Sequence, residues 1–239
     1  MRFDNYSAIV QGDGWIIPLI IINGIPPGDS VAACIQLAGP VDMTMSLDGY
    51  VAGPDDGPAF PLGKHGGMSI FDWYFSGKDV YREPVFKPEP GANLDEVQRM
   101  FEESGAFIFG RKTYDITHGW GGRHPVNGAP VFILTHHPPA VDKVPKGSSN
   151  LTFVTDGIEH AIQMAKAAAG DKHVKLGGGS PGKQALQYGL VDEIIIHLAP
   201  YLLGGGVPLF DRIDHGIRLE KLNANDGPLA THIRYCVIR

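Results

Sequence analysis

The sequence has little of three things that would assign a protein class at once: cysteine, net positive charge and long apolar runs. Its two cysteines, Cys34 and Cys236, are too few for a disulfide framework and form no Cys-x-x-Cys zinc pair. The net charge of −6 argues against nucleic acid as the main partner, because such binding usually needs a basic face. The longest apolar run, Trp15–Ile22, contains a proline and is too short to span a bilayer. We therefore expect a cytoplasmic protein with neither a membrane nor a nucleic-acid partner.

What the sequence does have is enough apolar material for a packed core and an excess of turn residues. Hydrophobic residues make up 43% of the 239 positions, whereas charged residues make up 19%. The 32 glycines and 19 prolines together are about a fifth of the chain, well above the usual share. This excess has no period, so it predicts many tight turns and backbone-lined loops in a globular protein.

The pattern along the chain predicts two parts. Residues 1–40 form an N-terminal extension of unknown role, and residues 41–239 form one α/β domain. In the second part, short apolar strands alternate with amphipathic helices, which is typical of a sheet with parallel crossovers. The last two strands, near Leu219 and at Thr231–Ile238, have no helix between them, so we expect an antiparallel C-terminal edge. A capping box at Asn93–Glu96 predicts the start of the first long helix.

Two strand-to-helix turns are candidate anion sites. In the first, Gly110 follows a strand and leads into Arg111, Lys112 and Thr113, which offer two cations and a hydroxyl at a helix start. In the second, Gly177, Gly178, Gly179 and Ser180 follow another strand. Glycines there let a ligand approach the backbone closely. For both turns, a purely structural turn remains the alternative.

Two further candidates carry less weight from the residues alone. Thr135 and His136 follow a buried strand, at the sheet edge where open α/β folds bind ligands. Asp48 lies in the turn Ser46–Gly49, where a carboxylate can contact a substrate or relay a proton if burial raises its pKa. A plain Asp-Gly turn is the competing interpretation of Asp48. The ten histidines show no metal-ligand spacing, and we assign no metal.

Taken together, these segments resemble the dihydrofolate-reductase-like superfamily, in the branch related to the reductase domain of riboflavin biosynthesis. The resemblance covers about residues 41–239 and rests on the order and spacing of six segments. These are Ser46–Gly53, Phe109–Tyr114, Val131–His136, Lys175–Ser180, Gly189–Ile194 and Leu202–Phe210. It implies a three-layer αβα fold with a central, mostly parallel sheet.

The resemblance also implies NADPH as the cofactor and assigns residues to it. Gly110 to Thr113 would hold the pyrophosphate, and Thr135, His136 and Arg111 would face the adenosine 2′-phosphate. Gly177 to Ser180 would hold the pyrophosphate on the nicotinamide side. Val51, Ala52 and Gly53 would lie near the nicotinamide.

The sequence departs from the family at the substrate side. Riboflavin reductases usually carry Glu where this chain has Gly177. Dihydrofolate reductases carry an acidic residue on their first helix, for which Asp72 and Asp79 are the candidates here. The aromatic segment Phe71–Tyr81 forms either a wall over the substrate or a dimer surface.

Our leading hypothesis is an NADPH-dependent reductase of a small heterocyclic substrate, acting as a homodimer, with Asp48 contacting the substrate or relaying a proton. Reduction of 5-amino-6-(5-phosphoribosylamino)uracil in riboflavin synthesis is the alternative within enzymes. A non-catalytic NADP-binding regulatory module is the alternative from another class. Phosphoryl transfer is disfavoured, since the glycine-rich turns lack a Gly-Lys-Ser/Thr ending.

Overall fold

A central eight-stranded sheet organises the protein. The computed structural model describes residues 39–75, 92–146, 150–211 and 213–238. Six adjacent strands run parallel, in the order β5-β4-β3-β6-β1-β7, and the antiparallel strands β10 and β9 complete the sheet. The described strands are Pro40–Ser46 (β1), Tyr50–Ala52 (β2), Ser104–Gly110 (β3), Val131–Leu134 (β4), Leu151–Val154 (β5), His173–Leu176 (β6), Glu193–Ala199 (β7), Val207–Pro208 (β8), Arg218–Asp226 (β9) and Thr231–Ile238 (β10). The predicted fold class, with its antiparallel C-terminal edge, is confirmed.

Helices cover both faces of the sheet. Their bounds are Asp72–Phe75 (α1), Ala92–Glu103 (α2), Arg111–Thr117 (α3), Ile158–Ala169 (α4) and Ser180–Gln187 (α5). A 3₁₀ turn at Gly67–Phe71 precedes α1. Ile162 of α4 and Leu186 of α5 belong to one apolar cluster with the β-strand residues Val41 and Ile108. Tyr114 of α3 packs with Phe107 and Val131 on the other face. These two clusters make the three layers.

The helix predicted from the capping box exists, but the box itself is wrong. Asn93 lies inside α2 rather than before it. Its Oδ1 is 3.0 Å from Nε2 of His232 on β10, so the side chain faces the sheet instead of its own helix start. Glu96 pairs with Arg99, at 2.8 Å. The side chain of Asn93 therefore binds His232 instead of a backbone N–H at the start of its own helix. His232 is fully buried and needs a polar contact.

The edge strand β9 is exposed along most of its length, and its pairing with β10 shifts register between Arg234 and Tyr235. An irregularity of this kind, together with charged residues such as Glu220 and Lys221, disfavours addition of a further strand. The predicted homodimer stays a prediction, as does the boundary at residue 40, since residues 1–38 lie outside the described part of the chain. Within the described ranges, no helix is long and apolar enough to cross a membrane.

The ring of His124 is buried in an aromatic cluster. It lies 4.1 Å from the ring of Phe107 and 4.9 Å from that of Trp120, centroid to centroid. Its Nδ1 accepts a hydrogen bond from the backbone N–H of Val126, at 3.3 Å. Burial lowers the pKa of His124 from 6.5 to about 4, since a charged ring is poorly solvated there.

Because the folded protein holds His124 neutral, its contribution to stability is complete above about pH 6.5 and is lost as the pH falls toward about 4. We expect urea unfolding to show a stability loss from this residue of roughly 2 kcal/mol between about pH 7 and about pH 4.5. A His124→Asn variant should lose that part of the pH slope. The exposed His136→Asn serves as the control, and an equal slope change in both variants would contradict the assignment.

Candidate functional site

The two glycine-containing turns lie side by side. Strands β3 and β6 are parallel neighbours, with Ile108 paired to Leu176. The pairing continues one residue further, since the N–H of Gly177 donates to the carbonyl of Ile108 at 2.9 Å. A Cβ on Gly110 would lie 3.4 Å from Cδ of Pro181, at the start of α5. The structure therefore brings the turn at residues 110–113 and the turn at residues 177–180 together at the carboxyl edge of the sheet.

At the first turn, both cations already have carboxylate partners. Arg111 Nε donates to Asp115 at 2.8 Å, and its Nη1 donates to the carbonyl of His137. Lys112 Nζ lies 2.8 Å from Asp56, in the loop after β2. The positive charge at this edge is thus locally balanced, and an anion binding here competes with or displaces these pairs.

At the second turn, the three glycines have different surroundings. A Cβ on Gly177 would lie 2.5 Å from Cδ1 of Phe109, and one on Gly178 would lie 2.8 Å from Cε of Met43. Gly179 has φ of +74° and nothing within 4 Å of its Cβ position. Ser180 begins α5, whose first N–H groups have no partner within the helix. Gly179 and Ser180 are therefore the members of this turn that are open to a ligand.

Thr135 and His136 complete the same edge. They follow β4, which pairs with β3 on the side away from β6. The Thr135 hydroxyl accepts from the N–H of His137 at 3.2 Å, and the carbonyl of His137 binds Arg111. His136 is exposed. The predicted phosphate-facing group of Arg111, Thr135 and His136 is brought together by the fold.

The residues predicted near the nicotinamide lie on and after β2. Val51, Ala52 and Gly53 are buried. A Cβ on Gly53 would lie 2.1 Å from the carbonyl oxygen of Lys64, so this glycine is required by backbone packing within the following loop. Nothing in its geometry points to close approach of a ligand.

The hydrogen bonds of Asp48 lower its pKa, so the condition for proton relay, a pKa raised by burial, is not met. Its carboxylate accepts hydrogen bonds from the Ser46 hydroxyl at 2.6 Å and from the N–H groups of Leu203 and Gly204 at 3.1 and 2.7 Å. The Ser46 hydroxyl is the largest cause that holds the pKa of Asp48 below its usual value, and the two N–H groups add to it. The carboxylate therefore ties the turn after β1 to the segment before β8, and proton relay is not supported.

A buried chain of polar side chains that the sequence did not predict lies on the face of the sheet beneath α1 and α2. Asp42 Oδ1 is 2.8 Å from His197 Nε2, and His197 Nδ1 is 2.8 Å from His232 Nδ1. Lys175 Nζ donates to Asp42 Oδ2 at 2.9 Å. Burial by itself raises the pKa of Asp42, but Lys175 and His197 outweigh it and hold that pKa well below the usual range. Polar residues alternating with apolar ones in β1 were the available signal.

The buried series of polar side chains that includes His197 anchors helix α1, which follows the 3₁₀ turn. The ring of Trp73 lies 4.3 Å from that of His197, and its Nε1 donates to the Thr44 hydroxyl at 3.1 Å. Trp73 is thus part of the core, and the predicted aromatic wall or dimer surface does not include it. Residues 76–81 of that segment, together with Asp79, lie outside the described residues. Asp72, the first residue of α1, is partly buried, and burial raises its pKa.

The protein has a dihydrofolate-reductase-like α/β fold, with the turns at residues 110–113 and 177–180 side by side at the carboxyl edge of its sheet. The chain belongs to the RibD C-terminal domain family, which matches residues 40–227. Two proteins of Bacillus subtilis (strain 168) are similar to it. Uncharacterized protein YyaP is 24% identical over 77% of this chain and 85% of its own length, and uncharacterized protein YwjB is 23% identical over 54% and 71%.

Solved structures share the fold. The putative riboflavin biosynthesis protein from Shewanella sp. PV-4 has a TM-score of 0.60 and 24% identity, covering 84% of this chain and 99% of that one. The diaminohydroxyphosphoribosylaminopyrimidine deaminase/5-amino-6-(5-phosphoribosylamino)uracil reductase from Thermotoga maritima has a TM-score of 0.50 and 12% identity, covering 83% and 56%. At these identities the likeness establishes the architecture alone.

The contact between Gly177 and Phe109 decides whether a side chain fits at the entrance to the second turn. We expect Gly177→Ala to lower the free energy of unfolding by about 1–3 kcal/mol, because the phenyl ring must shift. In a Phe109→Ala background the same substitution should cost clearly less. A double-mutant cycle by urea unfolding measures the difference, and full additivity would show that the ring does not limit this position.

Proposed function

We propose that this protein is an NADPH-dependent reductase of a small, heterocyclic substrate. The observation that carries the proposal is the adjacency of the two turns, made by the pairing of β3 with β6 and by the contact between Gly110 and Pro181. Ligands of open α/β sheets bind outside the carboxyl ends of the strands, where these turns lie. Membership of the RibD C-terminal domain family supports the same assignment.

The residues present fit a dinucleotide. Gly179 and Ser180 open a helix start to a phosphate, and Arg111, Lys112 and His136 provide basic groups along the same edge. Gly110 to Thr113 would hold the pyrophosphate from one side, and Gly177 to Ser180 from the other. Thr135, His136 and Arg111 would bind the adenosine 2′-phosphate. When bound, NADPH supplies the hydride, and the protein supplies binding and alignment.

Asp72 is the candidate for substrate binding or proton supply, in place of Asp48. Its pKa is raised by burial, so it retains a proton to higher pH than an exposed aspartate. Trp73, fixed between Thr44 and His197, holds the backbone of α1 and thereby positions Asp72. A partly buried carboxyl group can hydrogen-bond the amide or amino edge of a heterocycle and deliver a proton to a ring nitrogen.

The glycine at position 177 supports a substrate other than the ribosylaminopyrimidine of riboflavin synthesis. The glutamate typical of those reductases would occupy position 177, where a Cβ would lie 2.5 Å from Cδ1 of Phe109 and would require the ring to shift. A non-catalytic NADP-binding module remains the second candidate for the same reason. Tight NADPH binding without oxidation across a panel of pterins, pyrimidines and quinones would favour that module.

The cofactor assignment predicts a preference for the 2′-phosphate. A fluorescence titration should show tighter binding of NADPH than of NADH. Arg111→Met should weaken NADPH binding by about tenfold or more, because a charge-assisted hydrogen bond is lost, and should weaken NADH binding less, because NADH lacks the 2′-phosphate. Arg123→Met, an exposed arginine elsewhere, is the control. Equal affinity of the wild type for both dinucleotides would remove the case for a 2′-phosphate pocket.

The proposed role of Asp72 predicts that its substitution lowers activity without lowering the stability of the protein. Asp72→Asn should lower kcat/KM for NADPH oxidation by about a hundredfold, the usual range for a general acid. Its stability near neutral pH should not fall. A carboxyl group whose pKa is raised by folding stabilises the protein below its ordinary pKa of 3.8, and this contribution is lost as the pH rises. Glu102→Gln on the exposed side of α2 is the control. Unchanged kcat/KM in Asp72→Asn would exclude Asp72 from the reaction.

A further inference from the structure

A compact loop connects β2 with the 3₁₀ turn and places Asp56 against α3. The N–H of Gly53 donates to the carbonyl of Leu62 at 2.8 Å, and the N–H of Lys64 donates to that of Pro54 at 2.7 Å. Gly57 and Phe60 form an isolated bridge within the loop. These backbone bonds hold the loop together without using the side chain of Asp56.

The Asp56 carboxylate is buried and only half used. Its side chain is 9% exposed, and its Oδ2 lies 2.8 Å from Nζ of Lys112. Its Oδ1 is out of contact with solvent and accepts no hydrogen bond within the part of the chain that the structure describes. A buried acceptor without a donor is costly, and such atoms in native proteins usually have a role.

Asp55, the preceding residue, shows that burial of a carboxylate is not a general property of this loop. Asp55 is 63% exposed on its side chain and pairs with Lys64 at 2.8 Å, at the surface. Two adjacent aspartates therefore have separate environments. Asp55 closes the loop from outside, whereas Asp56 carries an unused acceptor against the helix that starts the first glycine turn.

The position of Asp56 selects the group that it would meet. It lies three residues after Gly53, which is assigned to the nicotinamide side, and it contacts Lys112, which is assigned to the pyrophosphate. Between a nicotinamide ring and a pyrophosphate lies a ribose, whose hydroxyls are hydrogen-bond donors. Carboxylates bind ribose hydroxyls in other dinucleotide sites. The Lys112 ammonium offsets the negative charge of Asp56, so that the carboxylate can lie close to phosphates.

We propose that Oδ1 of Asp56 accepts a hydrogen bond from a ribose hydroxyl on the nicotinamide half of the bound dinucleotide, with a local adjustment of the loop at residues 53–64. This inference rests on the proposed function. It goes beyond that function by assigning a residue in the loop after β2 to one half of the cofactor.

The experiment compares two ligands by isothermal titration calorimetry. NADP⁺ contains both riboses, whereas adenosine 2′,5′-bisphosphate lacks the nicotinamide half. Asp56→Ala should weaken binding of NADP⁺ by about tenfold or more, because a hydrogen bond to a charged acceptor is lost. It should not weaken binding of adenosine 2′,5′-bisphosphate, because this ligand lacks the nicotinamide half and loss of Asp56 only releases Lys112 from its ion pair. Asp55→Ala is the matched control and should change neither affinity.

The possible results distinguish failure of the ribose contact from failure of the proposed reductase function. If the wild type binds neither ligand, the proposed function fails. If the wild type binds both but Asp56→Ala weakens both equally, or neither, then the ribose contact is wrong. Should Asp56→Ala not fold by circular dichroism, Asp56→Asn replaces it; this neutral acceptor should also weaken NADP⁺ selectively, and an unselective or absent effect would overturn the contact.

Discussion

The parallel pairing of β3 with β6 is the constraint on which the candidate site depends. These strands are separated by more than sixty residues of sequence, yet their ladder continues through the N–H of Gly177 to the carbonyl of Ile108. Because parallel strands end at the same edge of a sheet, each following helix starts beside the other. A Cβ on Gly110 would lie 3.4 Å from Pro181 and one on Gly177 would lie 2.5 Å from Phe109, so the two turns approach each other closely.

Four aspartates near β1, β2 and α1 illustrate how environment assigns a role to a carboxylate. Asp48 is saturated by three donors and serves the backbone. Asp42 is ionised within a buried chain that reaches His197 and Lys175. Asp72 is partly buried, and burial raises its pKa. Asp56 is paired on one oxygen only. The last two are the carboxylates to which we assign proposed roles.

The glycine excess also divides by environment. Gly53, Gly63 and Gly206 allow backbones around β2 to approach one another, since a Cβ on each would lie 2.0–2.2 Å from a carbonyl oxygen. Such glycines build the loop that carries Asp56. Gly179 differs, because its left-handed φ is combined with open space. Glycines in this sequence therefore mark close backbone packing as well as open turns.

The sequence by itself determined the element order, the antiparallel C-terminal edge and the strand ends at which Gly110, Thr135 and Gly177 lie, because hydrophobic periodicity and turn residues are local properties. It did not determine the partner of any polar side chain. Asn93 was expected to cap its helix and meets His232 instead, and Asp48, expected to contact a substrate or relay a proton, accepts hydrogen bonds from Ser46, Leu203 and Gly204. The pairing of Lys112 with Asp56 and the burial of His197 under Trp73 join segments that are remote in sequence. Only the tertiary structure decides such contacts, since they depend on which strands become neighbours and on how much water each side chain keeps.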